Sequence, residues 1–436
     1  MPAKEINFQR NNSTGRVLNY IVQRSIEEVE MEEHDIINTQ KIEQIVASVN
    51  DNLSKFSDIS GDFINAYLNE DGNKLLSRML EIGDNNNREL SSLGEGVQYF
   101  FSILLQIIET IYEIKKTRKE EEFEDRLLVC NDKKLLPIFV FLDEPEIHQH
   151  PYRQRSLIKK VNDILNNKNE TFIDLMRYLF KIDGLTGQLF IATHSPNILL
   201  NDYKQFIRIY KDDTSISTPM IISGMNINLN NSLYKHLLRS LIYLKEAMFS
   251  KYILFVEGDT ENGAIPIFAR RENLDLDEKC ISVVKLDGAD SVKRCMELYK
   301  SFGINCIAII DADKKQSYDG LEGIYFIDKN DFEEDVYDDF SLDDYLQYVK
   351  RTSNLGHFIG ILKQYDSNLD IKAFQENLDV SMLSDEVRTS IMTSQRTKEL
   401  ENLKESKNAM KGCWLAELVT NIPQSFKTVI DILKEI

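Results

Sequence analysis

Ile253–Glu261 reads ILFVEGDTE, and Ile307–Asp313 reads IAIIDAD. Each is a short, apolar, β-branched run that stops abruptly at carboxylates. That is the pattern of a buried strand delivering acids to the carboxyl edge of a parallel sheet. Glu257 ends the first strand, Gly258 removes a side chain where the backbone must turn, and Glu261 opens the following helix. Asp311 and Asp313 are two apart, so in an extended segment both project to the same side. The carboxylates of these four residues are expected to converge. Acids packed together need a cation to stay ionised, and oxygen-only ligands suit Mg²⁺ or Mn²⁺ rather than zinc.

Outward from this pair the alternation is regular. Strands are expected at 252–257, 281–286, 305–311 and 323–327, with helices at 261–272 and 290–302. A βαβ series of this kind implies a mostly parallel sheet with right-handed crossovers. Asp331–Asp335, DFEED, and the acidic helix SLDDYLQYV follow, and residues 346–436 read as helical. A lone DxD would read as an exposed strand end. VEGxTE followed by a hydrophobic strand ending in DxD instead resembles the TOPRIM domain of topoisomerases, primases and a group of nucleases.

Three stretches upstream carry a second pattern. In Leu90–Gln98, LSSLGEGVQ, Ser92 and Gly94 stand at the head of an apolar helix, where a hydroxyl and backbone N–H groups make an anion site. Pro137–Pro151, PIFVFLDEPEIHQHP, is a buried strand ending in Asp143 and Glu144. An aspartate there can hold Mg²⁺ and a glutamate can polarise water. Gln188–Pro196, QLFIATHSP, is a further strand, presenting His194 at the sheet edge.

Together these motifs resemble the ABC-type ATPase heads. Ser92 and Gly94 match the signature motif, Leu142, Asp143 and Glu144 the Walker B motif with its catalytic glutamate, and His194 the switch histidine. The wording DEPExHxHP and ATHSP is similar to that of the overcoming-lysogenization-defect (OLD) family, in which a TOPRIM nuclease follows the ATPase. The resemblance covers residues 80 to 430. It implies a two-metal DNA endonuclease in which Glu257, Glu261, Asp311 and Asp313 bind Mg²⁺ or Mn²⁺. A further acidic ligand follows the DxD strand, with Glu333 the best match and Glu334 the alternative. It also implies a lysine beside the metals in Ser406–Val419, SKNAMKGCWLAELV, with Lys411 the first choice and Lys407 the second. Such a lysine would stabilise charge on the scissile phosphate. Proteins of this kind often serve in defence against phage, and ABC-like heads act as symmetric pairs, so a homodimer is expected.

The sequence departs from the family at one point: GxxxxGK[ST] is absent, and Asn11–Val17, NNSTGRV, lacks the phosphate-reaching lysine. ATP binding is therefore expected only with a Walker A supplied elsewhere. The ATPase half is then a shortened or truncated scaffold, a partner to a separate Walker A subunit, or a degraded site, the first being preferred. The alternative function is an ATP-sensing or assembly subunit whose TOPRIM half binds nucleic acid or a partner without cutting. No tyrosine is assignable as a topoisomerase nucleophile, and no zinc-binding cysteine cluster points to a primase.

Composition sets the frame. The 436 residues predict two or three domains. The division expected is a mainly helical segment 1–80, an ABC-ATPase-like domain 81–235, a TOPRIM domain 246–345 and a helical part 346–436. Hydrophobic content of 42% and charged content of 28% are those of a globular protein. No apolar run reaches the roughly 18 to 20 residues needed to span a bilayer, and MPAKEINFQRNNS has no signal-peptide core, so the expected location is the cytoplasm. Cys130, Cys280, Cys295, Cys306 and Cys413 have no metal or disulfide spacing. Net charge of −19 argues against DNA binding driven by bulk charge and leaves room for a local basic groove.

Overall fold

The computed structural model describes residues 13–28, 39–68, 80–86, 88, 92–147, 149–200, 202–211, 218–228, 241–286, 288, 291–318, 320–352, 355–394, 396–405 and 407–436. Of the motifs and helices expected above, Asn11, Asn12, Leu90, Ser91, His148, Asp290 and Ser406 lie outside them. The chain divides into two compact units, Met1–Ile198 and Leu199–Ile436.

In the first unit, helices Ser13–Glu28 and Thr39–Ser60 carry Val17, Ile21, Ile45, Val49, Leu53 and Phe56 on buried stripes at helical spacing. These side chains join one core with residues between Tyr99 and Ile198. The helical N-terminal segment is thus part of this unit rather than a body of its own. Strands β1, Asn65–Leu68, and β2, Leu80–Gly83, pair antiparallel. β3, Leu128–Cys130, lies antiparallel to β4, Lys133–Asp143, which runs parallel to β5, Gly184–Ala192. The β4–β5 register ends at Asp143↔Ala192, so both strands deliver their following residues to one edge. Helices Pro151–Leu165 and Glu170–Phe180 form the crossover, burying Leu157, Val161, Phe172, Leu175 and Met176.

Helix Glu95–Lys116 corrects one expectation. Its stretch Gly96–Lys116 is long and apolar enough to cross a membrane. Phe101, Ile103, Leu104, Leu105, Ile108 and Ile111 are nevertheless buried within the unit, so the apolar composition is that of a core helix.

In the second unit the βαβ elements fall where the alternation predicts, with ends shifted by one or two residues. They are β8, Tyr252–Val256; helix Asp259–Arg271; β9, Ile281–Lys285; helix Val292–Ser301; β10, Asn305–Ile310; and β11, Ile324–Phe326. Among the described residues they make a four-stranded parallel sheet in the order β11-β10-β8-β9. The chain leaves β8 for β9 on one side and returns to β10 on the other. The strand order therefore reverses between β8 and β10, the place where open α/β sheets form a crevice.

Strand β6, Ile207–Tyr210, which falls within the ATPase-like span 81–235 expected above, pairs antiparallel with β7, Met220–Ser223, in a hairpin of its own. Half-buried Arg208 explains its placement: the guanidinium donates to the carbonyls of Phe302, Gly303 and Ser250, all in the second unit.

Between Phe332 and Lys434 the described residues form a series of helices, in keeping with the helical part expected at 346–436, and pack on the face of the sheet that buries Leu254, Val256, Ile307 and Ile309. One contact matters for the site. Helix Ala409–Leu418 crosses helix Asp259–Arg271 at backbone distance: a Cβ on Gly263 would lie 1.9 Å from the Ala409 carbonyl oxygen, and one on Gly412 1.9 Å from that of Thr260. Both glycines are required by this approach.

Candidate active site

The acids of the second unit meet at the reversal of strand order. Glu257 follows β8 and Asp311 follows β10, and these strands are neighbours in register. The Asp311 N–H donates to Glu257 Oε2 over 3.3 Å, fixing one carboxylate over the next strand's end. Gly258 has extended backbone, so no turn requires a glycine there. Its reason is proximity: a Cβ would stand 2.6 Å from Glu261 Oε2. The missing side chain lets Glu261 fold its carboxylate back over the strand end.

Glu261 is only 4% exposed, and burial, with Glu333 and Glu257 nearby, pushes its carboxyl up to about 7. Burial, with Glu261 and Glu257, pushes Asp311 up to about 8. Asp311 Oδ1 is buried without a hydrogen-bond partner. An orphaned acceptor beside carboxyls pushed up into the neutral range marks a place short of positive charge.

Glu333, fully buried at 0% exposure, accepts from Thr260 Oγ1 at 3.1 Å and lies 2.9 Å from Lys407 Nζ. Glu334 turns elsewhere, to Lys404 Nζ at 2.5 Å and the Asn330 amide. Of the two glutamates the sequence left open, Glu333 is the one within the acidic group. Asp331, quoted in DFEED without a role, also faces it: its carboxylate is 3.1 Å from Lys404 Nζ and 3.8 Å from Lys407 Nζ, and its charge helps raise Asp311.

Asp313 departs from the expected convergence. β10 ends at Ile310, and Ala312–Lys314 is a 3₁₀ turn, so the same-side rule for extended chain does not apply. The Asp313 carboxylate is exposed and pairs with Lys314 Nζ at 3.0 Å. Lys411 is buried, its Nζ donating to the Glu405 carbonyl at 2.8 Å, while Lys407 makes the direct contact with the acids. Among the described residues no three His, Cys, Asp or Glu side chains are already closed around a metal-sized space. The all-oxygen donor set and the orphaned Asp311 oxygen fit a hard divalent cation.

The edge of the first unit is built differently. Gly94 is the N-cap of helix Glu95–Lys116, and Ser92 is exposed two residues before it. Asp143, the last residue of β4, is exposed. Glu144 takes φ +45°, and its N–H donates to the Ala192 carbonyl at 2.8 Å. Its carboxylate comes 3.7 Å from Nε2 of His194, whose side chain is 84% exposed. Sequence reasoning passed over Glu146. It accepts from Thr193 Oγ1 and from the His194 N–H, both at 2.7 Å, and so fastens the THSP turn to the end of β4. Gln154 adds a second tie by accepting from Ser195 Oγ at 2.7 Å. Tyr99, one helix turn beyond the cap, is pushed up to about 12 by burial and by Glu146 and Asp143, which brings the signature-like helix to this corner.

Comparison with known proteins follows the same division. Residues 2–199 match the family model of an AAA ATPase domain. Residues 248–313 match that of the overcoming lysogenization defect protein-like TOPRIM domain. The Old nuclease of Escherichia phage P2 is 25% identical over 230 residues, 52% of this chain and 34% of that protein. The chain thus matches about a third of the length of this curated relative. Among solved structures, the C-terminal region of the Burkholderia pseudomallei OLD protein aligns over 43% of this chain and 98% of its own, at 15% identity and a TM-score of 0.25. That of the Xanthomonas campestris pv. campestris OLD protein aligns over 43% and 96%, at 16% identity and the same TM-score of 0.25. An AAA ATPase domain match ahead of an OLD-like TOPRIM match, with a phage Old nuclease as a relative, makes the chain similar to the OLD family in both of its units.

Proposed function

We propose that this protein is a divalent-metal-dependent DNA endonuclease of the OLD type, acting as a homodimer in anti-phage defence in the cytoplasm. The observation that carries the reading is the set of acids, half-buried Glu257 and Asp311 with buried Glu261 and Glu333, gathered where the strand order reverses. When bound there, Mg²⁺ or Mn²⁺ makes water nucleophilic at neutral pH and neutralises charge on the leaving 3′ oxygen.

The chain's own residues prepare that chemistry. Glu257 and Asp311, tied by a backbone hydrogen bond, are the central ligands. Glu261 and Glu333 complete the set from the first turns of their helices, and Asp313 joins from the rim by exchanging Lys314 for the cation. Lys407, with Lys411 behind it, supplies positive charge beside the scissile phosphate. The first unit serves as a regulatory or dimerising platform. Ser92, Gly94, Asp143, Glu144 and His194 engage nucleotide there only when a Walker A segment comes from elsewhere.

Incubation of supercoiled plasmid with the purified chain and Mg²⁺ or Mn²⁺, without ATP, tests the reading. Cutting that Glu257→Gln and Asp311→Asn abolish is expected. No cutting by folded protein under any divalent condition would overturn it in favour of a non-cleaving assembly subunit.

A further inference from the structure

The acidic site contains a cation of its own. Glu333 is fully buried, and a buried acid needs a partner that replaces the water it has lost. The Lys407 ammonium is that partner, 2.9 Å from Glu333 Oε2 and 3.8 Å from Asp331 Oδ2. Its field extends further, acting to lower both Asp311 and Glu261. Yet the Lys407 side chain is 45% exposed, so its flexible stem can carry the charge out to solvent.

The surrounding loop is pinned on both sides of this lysine. On one side, Lys404 grips Asp331 at 3.1 Å and Glu334 at 2.5 Å. On the other, Asn408 caps helix Ala409–Leu418 by accepting from the Lys411 N–H, and buried Lys411 Nζ ties back to the Glu405 carbonyl at 2.8 Å. The helix itself is held against the Thr260 carbonyl by Gly412. Lys407 is therefore presented to Glu333 by a fixed frame.

We propose that Lys407 is a resident counter-ion of the acidic site, which a divalent cation must displace from Glu333, and that Lys411 is the positioning residue holding its loop. This rests on the metal-site reading above and adds to it a built-in competitor that sets cation affinity. A single positive charge at such distances from the ligands opposes an incoming dication strongly.

The test is calorimetric titration of Mn²⁺ into the EDTA-treated full chain, beside Lys407→Met and Lys411→Met, with melting temperatures measured with and without Mn²⁺. Lys407→Met is expected to bind Mn²⁺ about tenfold more tightly than wild type. Metal-free, it should melt lower than wild type, with the loss recovered on adding Mn²⁺. Lys411→Met, which leaves Lys407 present on a loosened loop, should bind about threefold more tightly. It answers the same question where Lys407→Met does not fold. Unchanged or weaker Mn²⁺ binding in the variants overturns the proposal while leaving the metal site in place. Absence of Mn²⁺ binding in wild type and variants alike overturns the metal-site reading and the proposal with it.

Discussion

Parallel strands in both units end in acids at their carboxyl edges, under opposite conditions. In the first unit Asp143 is exposed and the His194 side chain is 84% exposed, so both stand open to water. In the second, Glu261 is 4% exposed and Glu333, beside Lys407, is 0% exposed. The result is a pair of carboxyls raised to about 7 and about 8 and an acceptor oxygen with no donor. Acidity at a strand end is common to both regions. The covering makes only one of them a strong candidate for holding cations without help from nucleotide, because desolvation turns a cluster of acids into a demand for positive charge.

The largest expected effect falls on catalysis. Asp311→Asn should lower plasmid cleavage by about a thousandfold, and Asp143→Asn in the absence of ATP by no more than about threefold. Equal losses in the two variants, measured as initial rates, would erase the contrast between the edges. Within the acidic site, Asp313→Asn should cost roughly tenfold, less than Asp311→Asn, because its carboxylate starts outside the buried group.

A change in packing comes next. Gly412→Ala forces a Cβ into the Thr260 carbonyl and should destabilise the second unit by about 1–3 kcal/mol, read by urea denaturation. In the first unit, Glu146→Gln keeps the bond to the His194 N–H and weakens a charge-assisted clamp. A loss of about 1 kcal/mol is expected, and a loss matching that of Gly412→Ala would mean the open edge depends on its clamp more than its exposure indicates.

The smallest effect is on stability against pH. For Glu261 and Asp311 the folded state binds protons more tightly than the unfolded chain, whose carboxyls titrate near 4.5 and 3.8. Their contribution is fully present below those values and is lost as pH rises through about 7 and about 8. The metal-free protein should therefore melt progressively lower between about pH 4 and pH 8, and Mn²⁺ should raise the melting temperature more at pH 8 than at pH 6. A melting temperature that rises across this window without metal would contradict the burial of these acids.

The sequence makes the βαβ order and the two strand-end acids legible because periodicity and abrupt polarity are local signals. Glu257 and Asp311 needed only the strand ends, and their adjacency follows from the sheet order. Other features depend on contacts between distant segments. Glu333 and Glu334 are told apart by the lysine each one meets, Lys407 and Lys404 respectively. Gly258 reads as a turn glycine until the Glu261 carboxylate is seen folding over it. The same-side rule for Asp311 and Asp313 does not hold because the strand stops one residue before Asp311 and a 3₁₀ turn follows. Glu146 looked like part of an acidic run, and its role appears only with the THSP turn beside it. The hairpin β6–β7 carries no local mark of which unit it joins, since Arg208 finds its carbonyl partners 42 to 95 residues away.

The central claim is that the buried acids hold protons until a cation replaces them. It is tested most directly by titrating Mn²⁺ into the protein at pH 7 in two buffers of different ionisation enthalpy, which counts the protons released on binding. The account predicts proton release for wild type, clearly reduced in Asp311→Asn and unchanged in Asp143→Asn. Mn²⁺ binding with no proton release, or release that survives Asp311→Asn in full, would contradict it.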